Sequence, residues 1–543
     1  SRFLKDFKTK KQVVFDTTKE KQEEKCMKKT LAFCMAAVMA GTLPLSMTAL
    51  ADGDAKDTMV VIDSEWYGTD MFQQDGWASA QSLIADSLFT EDPKTGDLLD
   101  GICTDWKLSD DGLTATFNVP EGKYYATGEQ VEPEDVVASL EYGKEVSPYA
   151  DGYSNIESMD VDGRQVTLHL SSFRSDMLYN LAACFIGVID KDQLDSMDQD
   201  ELMWGAVPYG QYSVESYEPG TEVVLVPNEG YSTDNPLVEN KGVGKMSSIK
   251  VKFSKEEFTE LEELKSGDAD ITFSLSMDGK AELEGADGIT IQDATYPNIE
   301  YFELNTTSGI FSDIEVRKAV AYAIDRDALC DLTDGAAVPA YSMIYDSVTN
   351  FSQDAKDDFM NNYCNDQEKA KQILADAGYE DSDGDGILEK DGTPLEFTFY
   401  TRSSGTSIIM AQGLQEQMAE IGIQMDIESI DWNYIYESIS DDDYDAGIEV
   451  LEWAEPMLVL NCCYYDKDAP GNNDDYSASV EDAATTIDST ERTQKIGEIQ
   501  SKMFENLDII PFYSDVSYFA YRSELQGINV LENGTVFFND FTF

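Results

Sequence analysis

The feature that most restricts the fold of this chain is the alternation of short strand patterns with helical patterns, which is clearest from about residue 300 onward. Short runs of apolar or alternating residues predict strands, and they occur at 59–62, 114–119, 223–226, 249–253, 397–400 and 423–427. Strands that alternate with helices are typical of sheets covered by helices. The sequence therefore predicts an α/β architecture, and it shows no internal repeat.

Amphipathic helices are predicted in the second half of the chain. The first spans 312–329 and opens with Ser312 and Glu315, which match a capping box. The second begins after Asp366 and ends at Gly378, which suits a left-handed cap. The third precedes Gly422 and carries a stripe of apolar residues at helical spacing, namely Met410, Leu414, Met418 and Ile421. We expect these stripes to pack in the core.

Size and charge limit the class of protein. The 543 residues are 42% hydrophobic and 11% aromatic, which suffices for about three folding units with cores of their own. The formal net charge is −68 at pH 7. A surface this negative repels phosphate backbones, so we predict no nucleic-acid partner. The acidity fits either solubility outside the cell or attraction of cationic substrates, and charge alone does not choose between them.

A leader of the secretory kind is predicted at 27–51. Lys28 and Lys29 follow Met27, the segment 31–50 is apolar, and Ala49-Leu50-Ala51 has the small-x-small pattern of a cleavage site. Residues 1–26 are basic and polar, and we interpret them as translated upstream sequence. The leader predicts export across the cytoplasmic membrane, to the periplasm or the outer face of the cell. A lipid anchor requires a small residue just before the modified cysteine. Because Phe33 precedes Cys34, we do not favour lipidation at Cys34.

Sequence motifs give no support for an enzyme. The only histidine is His169, in an alternating run that predicts a strand, so a Ser-His-Asp triad has a single candidate. No GxGxxG, Walker or GxSxG motif occurs. The cysteines after the leader show no CxxC spacing, and we expect free thiols. Abundant carboxylates leave a glycosidase-type pair open.

An acidic loop at 381–386 resembles the start of a calcium loop. Asp381, Asp383 and Asp385 stand at its first, third and fifth positions, and Gly386 suits the sharp turn. The twelfth position is Gly392, so the bidentate carboxylate of such loops is missing. A solvated acidic turn and a calcium site both remain open, and we predict neither a metal site nor a cofactor.

Several segments, in order, resemble the extracytoplasmic solute-binding proteins of family 5, which include oligopeptide- and dipeptide-binding proteins of ABC importers. The strongest similarity runs over 301–329 and includes VRKAVAYAIDR at 316–326. Each block is weak alone, but their order is specific to the family. The other similar blocks lie at 96–114, 127–136, 205–210, 228–231, 264–270, 370–379 and 508–513.

The resemblance implies a hinged, two-lobed fold of the periplasmic-binding-protein type II class with an extra third domain. When the family's domain boundaries are transferred to this chain, lobe I consists of 52–95, 204–298 and 510–543, and lobe II consists of 299–509. The inserted domain takes 96–203. The chain would then cross between the lobes near 298 and 509, and these crossings would form the hinge.

The resemblance also implies which residues bind ligand. Peptide-binding relatives carry a Trp-x-x-Asp segment whose Asp anchors the ligand's amino terminus. Here Trp453 matches, and Glu455 stands one residue nearer in place of the Asp. Further candidates for the cleft are Asn305, Tyr301, Arg402, Trp66 and Tyr67. A surface ion pair would explain Arg402 equally well, and burial in the core would explain Trp66 and Tyr67.

The function implied is that of a monomeric receptor which captures peptides in a cleft and delivers them to ABC permease subunits, without catalysis. Three alternatives stay open. The chain could bind an oligosaccharide stacked on its aromatic residues, or a preformed complex of a metal with a metallophore. It could also be a secreted hydrolase with a carboxylate pair.

Overall fold

The computed structural model describes residues 57–74, 79–183, 186–254, 256–294, 297–403, 405–430, 444–465, 474–531 and 534–543. They belong to one compact unit formed by Lys56–Tyr465 and Ala469–Phe543. The predicted upstream segment 1–26, the signal peptide 27–51, Cys34 and Cys184 lie outside the described residues. Within the described part, no helix combines the length and apolarity needed to cross a bilayer.

A seven-stranded mixed sheet forms the first lobe. Its central strand, Thr58–Asp63, runs parallel to both of its neighbours, while the other pairs are antiparallel. Met59 and Val61 are fully buried in its core. Helices Glu257–Ser266 and Met277–Leu283 contribute Leu261, Leu264 and Leu283 to a second cluster. In spatial order the strands are Ile289–Ala294, Ser517–Arg522, Ile271–Leu275, Thr58–Asp63, Ser248–Phe253, Glu222–Pro227 and Tyr212–Glu218.

A six-stranded sheet forms the second lobe. Every residue of its strand Ile299–Leu304 is buried, so both faces of this strand are covered. In spatial order the strands are Ala337–Pro339, Ile509–Asp515, Ile299–Leu304, Ala446–Leu451, Glu396–Thr401 and Gln424–Ser429. The helices of this lobe are Ile314–Ala323, Arg326–Asp331, Gln353–Asn362, Gln367–Asp376, Thr406–Glu420, Pro456–Leu460, Asp474–Ala484 and Ser489–Asn506, with a π-helical turn at Asn461–Tyr465.

A third domain carries an antiparallel four-stranded sheet in the order Thr104–Leu108, Thr114–Asn118, Gln165–Leu170 and Ile156–Asp162. Its helices are Pro133–Val146, Ser175–Ala182, Lys191–Ser196 and Gln199–Gly205. His169 lies on a strand, as predicted, and its Nε2 is 2.9 Å from Asp160 Oδ2.

Three two-stranded ribbons pair Phe89–Glu91 with Leu98–Asp100, Glu389–Lys390 with Thr393–Pro394, and Asn529–Val530 with Val536–Phe537. Short 3₁₀ turns occur at Met71–Gln73, Ser79–Leu83, Ala150–Tyr153 and Ile310–Ser312.

Three sheets, each with its own core, confirm the predicted two-lobed α/β fold with an additional domain. Two of the predicted helices are also confirmed. Helix Gln367–Asp376 is capped by Asp366, and Gly378 after it has a φ of 89°. Helix Thr406–Glu420 buries Met410, Leu414 and Met418 on one stripe.

The single helix predicted at 312–329 is wrong. The chain forms two helices, Ile314–Ala323 and Arg326–Asp331, because two aspartates each cap a helix of their own. The Asp313 carboxylate accepts a hydrogen bond from Glu315 N, and Asp325 accepts one from Ala328 N. Ser312 lies before the first helix and donates its hydroxyl to Gly309 O instead.

The chain passes from the seven-stranded to the six-stranded sheet between 294 and 299, where the sequence predicts the first crossing. The return passage differs from the predicted position near 509. Strand Ile509–Asp515 still belongs to the six-stranded sheet, and the following strand, Ser517–Arg522, belongs to the seven-stranded one. The reason is backbone pairing, since Glu303 lies opposite Ile509 and Phe302 opposite Ile510.

Candidate functional site

A cavity of about 460 Å³ lies where the two lobes and the third domain meet. Asp86 and Gln211 come from the first lobe, Tyr149 and Tyr179 from the third domain, and Trp453 from the second lobe. The C-terminal residues 534–539 complete the wall. A void of this size is within the range of about 300–1,000 Å³ that small-ligand sites occupy.

Trp453 lies on the wall of this cavity, between strand Ala446–Leu451 and helix Pro456–Leu460. Its ring meets the Tyr149 ring edge to face, with centroids 5.8 Å apart. It is partly buried and also packs against the core of its own lobe. Trp453 therefore joins the second lobe to the third domain across the cavity.

Glu455 lies outside the described residues that line the cavity. It is 7% exposed and caps helix Pro456–Leu460, since its Oε2 accepts a hydrogen bond of 2.8 Å from Leu458 N. Burial raises the pKa of its carboxyl to about 8, and the charge of nearby Asp176 adds to the shift. The second-lobe acid that does line the cavity is Glu452. The sequence did not single out Glu452, because the family pattern places the ligand-binding acid after the tryptophan, whereas Glu452 precedes Trp453.

Tyr301 and Asn305 lie inside the second lobe and are not among the described residues that line the cavity. Tyr301 is 9% exposed on strand Ile299–Leu304, and burial raises its pKa well above 10. The Asn305 amide donates to Tyr444 O at 2.9 Å, and its Oδ1 accepts from Thr307 N at 3.0 Å. These bonds fix the turn after the strand.

Arg402 forms an ion pair with the buried Glu300 and is not among the described residues that line the cavity. Its Nη2 is bonded to Glu300 Oε1, and its Nε donates to Ser407 Oγ at 2.8 Å. Burial raises the pKa of Glu300 to about 8, although the Arg402 charge opposes the rise. Arg402 thus connects Glu300 of strand Ile299–Leu304 to Ser407 at the start of helix Thr406–Glu420.

Trp66 and Tyr67 also lie outside the lining residues. Trp66 is 4% exposed and belongs to the core of the first lobe, and Tyr67 is partly buried beside it in the chain. Of the seven residues proposed from the sequence, the structure thus places Trp453 alone on the cavity wall.

The wall of the cavity is acidic. Asp86, Glu91 and Glu452 line it, and none of the described lining residues is Lys, Arg or His. Burial raises the pKa of Asp86 to about 6 and that of Glu91 to about 7. The pKa of Glu452 is also raised, because the cavity walls partly desolvate its carboxylate although the residue stays accessible to solvent, while the Arg402 charge opposes the shift.

Hydrogen bonds hold two of these acids in place. The Tyr231 hydroxyl donates to Asp86 Oδ2 at 2.6 Å, and the Thr349 hydroxyl donates to Glu91 Oε1 at 3.4 Å. The second bond joins the second lobe to the ribbon strand Phe89–Glu91. No local sequence pattern marks Asp86 or Glu91, because only the folded chain brings them to the same cavity wall as Trp453.

The acidic loop at 381–386 is an exposed turn away from the cavity. Carboxylate oxygens of Asp381, Asp383 and Asp385 lie within 4.8 Å of one another. Asp381 accepts hydrogen bonds from Gly384 N at 2.7 Å and Gly386 N at 3.1 Å. The turn thus organises its own backbone, and calcium binding there stays an untested alternative.

Comparison with known proteins identifies the family. The model of the bacterial extracellular solute-binding proteins, family 5, matches residues 98–456. The chain belongs to this family. The match covers most of the third domain, five strands of the first lobe's sheet and the second lobe as far as residue 456. The family 5 fold therefore accounts for the two lobes and for the additional domain.

Individual relatives share the family 5 fold at low identity. The oligopeptide-binding protein AppA of Bacillus subtilis is 22% identical over 449 residues, which cover 78% of this chain and 79% of AppA. The solved structure of AppA in complex with a nonapeptide covers 90% of this chain and 100% of its own, with a TM-score of 0.70 and 19% identity. NikZ from Campylobacter jejuni, solved in complex with Ni(L-His), has a TM-score of 0.74 at 18% identity over 90% of this chain and 100% of its own.

Proposed function

We propose that this protein is the substrate-binding receptor of an ABC importer, which captures short peptides in the cavity between its lobes and delivers them to membrane permeases. The observation that carries the proposal is the cavity of about 460 Å³ whose wall is shared by both lobes and the third domain. A ligand there contacts both halves at once. The peptide complex of AppA supports a peptide as the ligand.

The proposed mechanism is closure of two lobes around the ligand. Residues 297–298 and the residues around 516 lie between strands of the two sheets and would serve as the hinge. Only a ligand that binds the closed form better than the open form drives closure. A shift from 1:99 to 99:1 requires about 5.5 kcal/mol of preference for the closed form.

Contacts between the third domain and the second lobe support a closed form. Arg174 of the third domain pairs with Glu481 of helix Asp474–Ala484 at 3.0 Å, and Arg174 also pairs with Asp176 at 2.8 Å. The Arg492 guanidinium lies 6.0 Å from the Phe173 ring centroid. The contacts of Arg174 with Glu481 and of Arg492 with Phe173 would break when the lobes separate. They favour the closed form and so reduce the preference that the ligand must supply.

The rest of the proposal concerns location and partners. The leader predicted at 27–51 and the extracellular character of family 5 support a place outside the cytoplasmic membrane, in the periplasm or at the cell surface. Permease subunits would recognise the surface that the closed lobes present. We propose that the protein acts as a monomer and leaves its ligand chemically unchanged.

A metal complex is a second candidate ligand. The acidic wall formed by Asp86, Glu91 and Glu452 would favour a positively charged complex, and NikZ was solved with Ni(L-His). A preformed complex needs no histidine from the protein, which suits a chain whose one histidine, His169, is paired with Asp160 in the third domain.

Native mass spectrometry of the purified protein with a mixed peptide pool tests the proposal. Recovery of intact bound peptide supports the receptor. Steady release of cleaved peptide would support the alternative of a secreted hydrolase. Retention of nickel with histidine, and of no peptide, would favour the metal complex.

A further inference from the structure

Acidic groups reach the cavity from more than one side. Asp86 follows the 3₁₀ turn Ser79–Leu83 of the first lobe, and Glu91 ends a ribbon strand. Glu452 follows strand Ala446–Leu451 of the second lobe and is solvent-exposed within the cleft. A ligand that enters between the lobes therefore meets carboxylates contributed by both of them.

The cations near these acids are already engaged by other groups. Arg402, whose charge acts on Glu452, is bonded to the buried Glu300. Lys123, whose charge acts on Asp86, is 2% exposed, lies 2.9 Å from Asp234 and donates to Ser232 O at 3.2 Å. Neither side chain is among the described residues that line the cavity, so the described part of the wall offers a ligand no basic group.

Aromatic groups add to the attraction for a cation. Trp453 and Tyr149 meet edge to face at the wall, and Tyr179 and Tyr231 also line it. The face of an aromatic ring attracts ammonium and guanidinium groups within about 6 Å of its centroid. Carboxylates combined with aromatic faces suit a positively charged ligand better than a neutral or an acidic one.

We propose that the ligand class of this cavity is the short basic peptide, whose amino terminus and Lys or Arg side chains are bound by Asp86, Glu91 and Glu452. This inference rests on the proposed function of a peptide receptor and adds the charge of the ligand. The peptide's C-terminal carboxylate forms no ion pair with the described wall. An amidated C-terminus is therefore tolerated.

Isothermal titration calorimetry with matched tripeptides tests the ligand class directly. The probes are Lys-Ala-Lys, its C-terminal amide, Ala-Ala-Ala and Glu-Ala-Glu. We expect Lys-Ala-Lys and its amide to bind at least about tenfold more tightly than Ala-Ala-Ala, which is the effect of one favourable charge contact of about 1.4 kcal/mol. Glu-Ala-Glu is expected to bind most weakly.

A matched pair of variants tests the assignment of the acids. Glu452→Gln removes a cavity charge, whereas Glu498→Gln removes one from the exposed face of helix Ser489–Asn506. We expect Glu452→Gln to weaken Lys-Ala-Lys binding about tenfold more than it weakens Ala-Ala-Ala binding, because Ala-Ala-Ala carries its amino terminus as its single cation. Glu498→Gln is expected to have no effect on either tripeptide. An equal loss for both tripeptides in Glu452→Gln would overturn the charge assignment.

The outcomes separate this inference from the proposed function. Binding of Ala-Ala-Ala or Glu-Ala-Glu as tight as that of Lys-Ala-Lys would overturn the basic-peptide inference and leave the peptide receptor intact. Failure of all four tripeptides to bind would overturn both. The wild-type series requires no substitution, so a variant that fails to fold does not remove the test.

Discussion

Glu303 is a buried acid whose replacement is expected to change how the stability of the protein depends on pH. It lies on strand Ile299–Leu304, is 2% exposed, and accepts a hydrogen bond of 3.2 Å from the Tyr444 hydroxyl. Burial raises the pKa of Glu303 from 4.5 to about 8, because the ionised form is poorly solvated there. At neutral pH the folded protein therefore holds a proton that the unfolded chain has released.

The sign and size of the effect follow from this difference. Between the unfolded pKa of 4.5 and the folded pKa of about 8 the folded state binds more protons, so the free energy of unfolding falls as pH rises through this window. From pH 4.5 to 7 the loss due to Glu303 is about 3 kcal/mol, at about 1.4 kcal/mol per pKa unit. The pKa of Glu449 is raised as well, partly by Glu303, so the wild-type loss is larger still.

Glu303→Gln keeps the shape of the side chain and its hydrogen-bond acceptor but cannot ionise. Urea unfolding at pH 4.5, 5.5, 6.5 and 7.0 gives the free energy of unfolding at each pH. We expect the variant to gain about 3 kcal/mol relative to the wild type over this range. The control is Glu420→Gln at an exposed helix end, whose curve is expected to parallel the wild type. Parallel curves for Glu303→Gln and the wild type would show that Glu303 has no raised pKa in the folded protein.

Two further predictions concern the site and the corrected helix. Trp453→Ala is expected to reduce the rise in melting temperature that a bound peptide causes, because Trp453 lines the cavity; Trp204→Ala, which removes an exposed ring stacked on Tyr217, is the control. An unchanged rise would remove Trp453 from the ligand site. Asp325→Ala is expected to destabilise the protein by about 1 kcal/mol through loss of the cap on helix Arg326–Asp331. Ser312→Ala leaves both caps in place, so a larger loss in that variant would contradict the two-helix structure.

The sequence predicts those parts of the fold that depend on local interactions. Helix Gln367–Asp376 has its cap and its buried stripe within one short segment, and both are visible in the sequence. The same local reasoning failed at 312–329, because Asp313 and Asp325 compete with Ser312 as caps. The return crossing was misplaced because it depends on pairing between strands far apart in the chain.

The site is less predictable than the fold. Trp453 was found through a family pattern, and the structure places it on the cavity wall. Asp86 and Glu91 carry no motif, since their proximity to Trp453 arises only when the lobes come together. Arg402 and Glu455 have charges suited to a ligand end, but an ion pair with Glu300 and a helix cap already engage them.

Small-angle X-ray scattering of the purified protein, with and without the peptide that calorimetry shows to bind, measures whether the lobes close around a ligand. We expect a smaller radius of gyration in the presence of peptide, because the two lobes close around it. A radius of gyration that stays the same while peptide is bound at saturation would contradict capture by lobe closure.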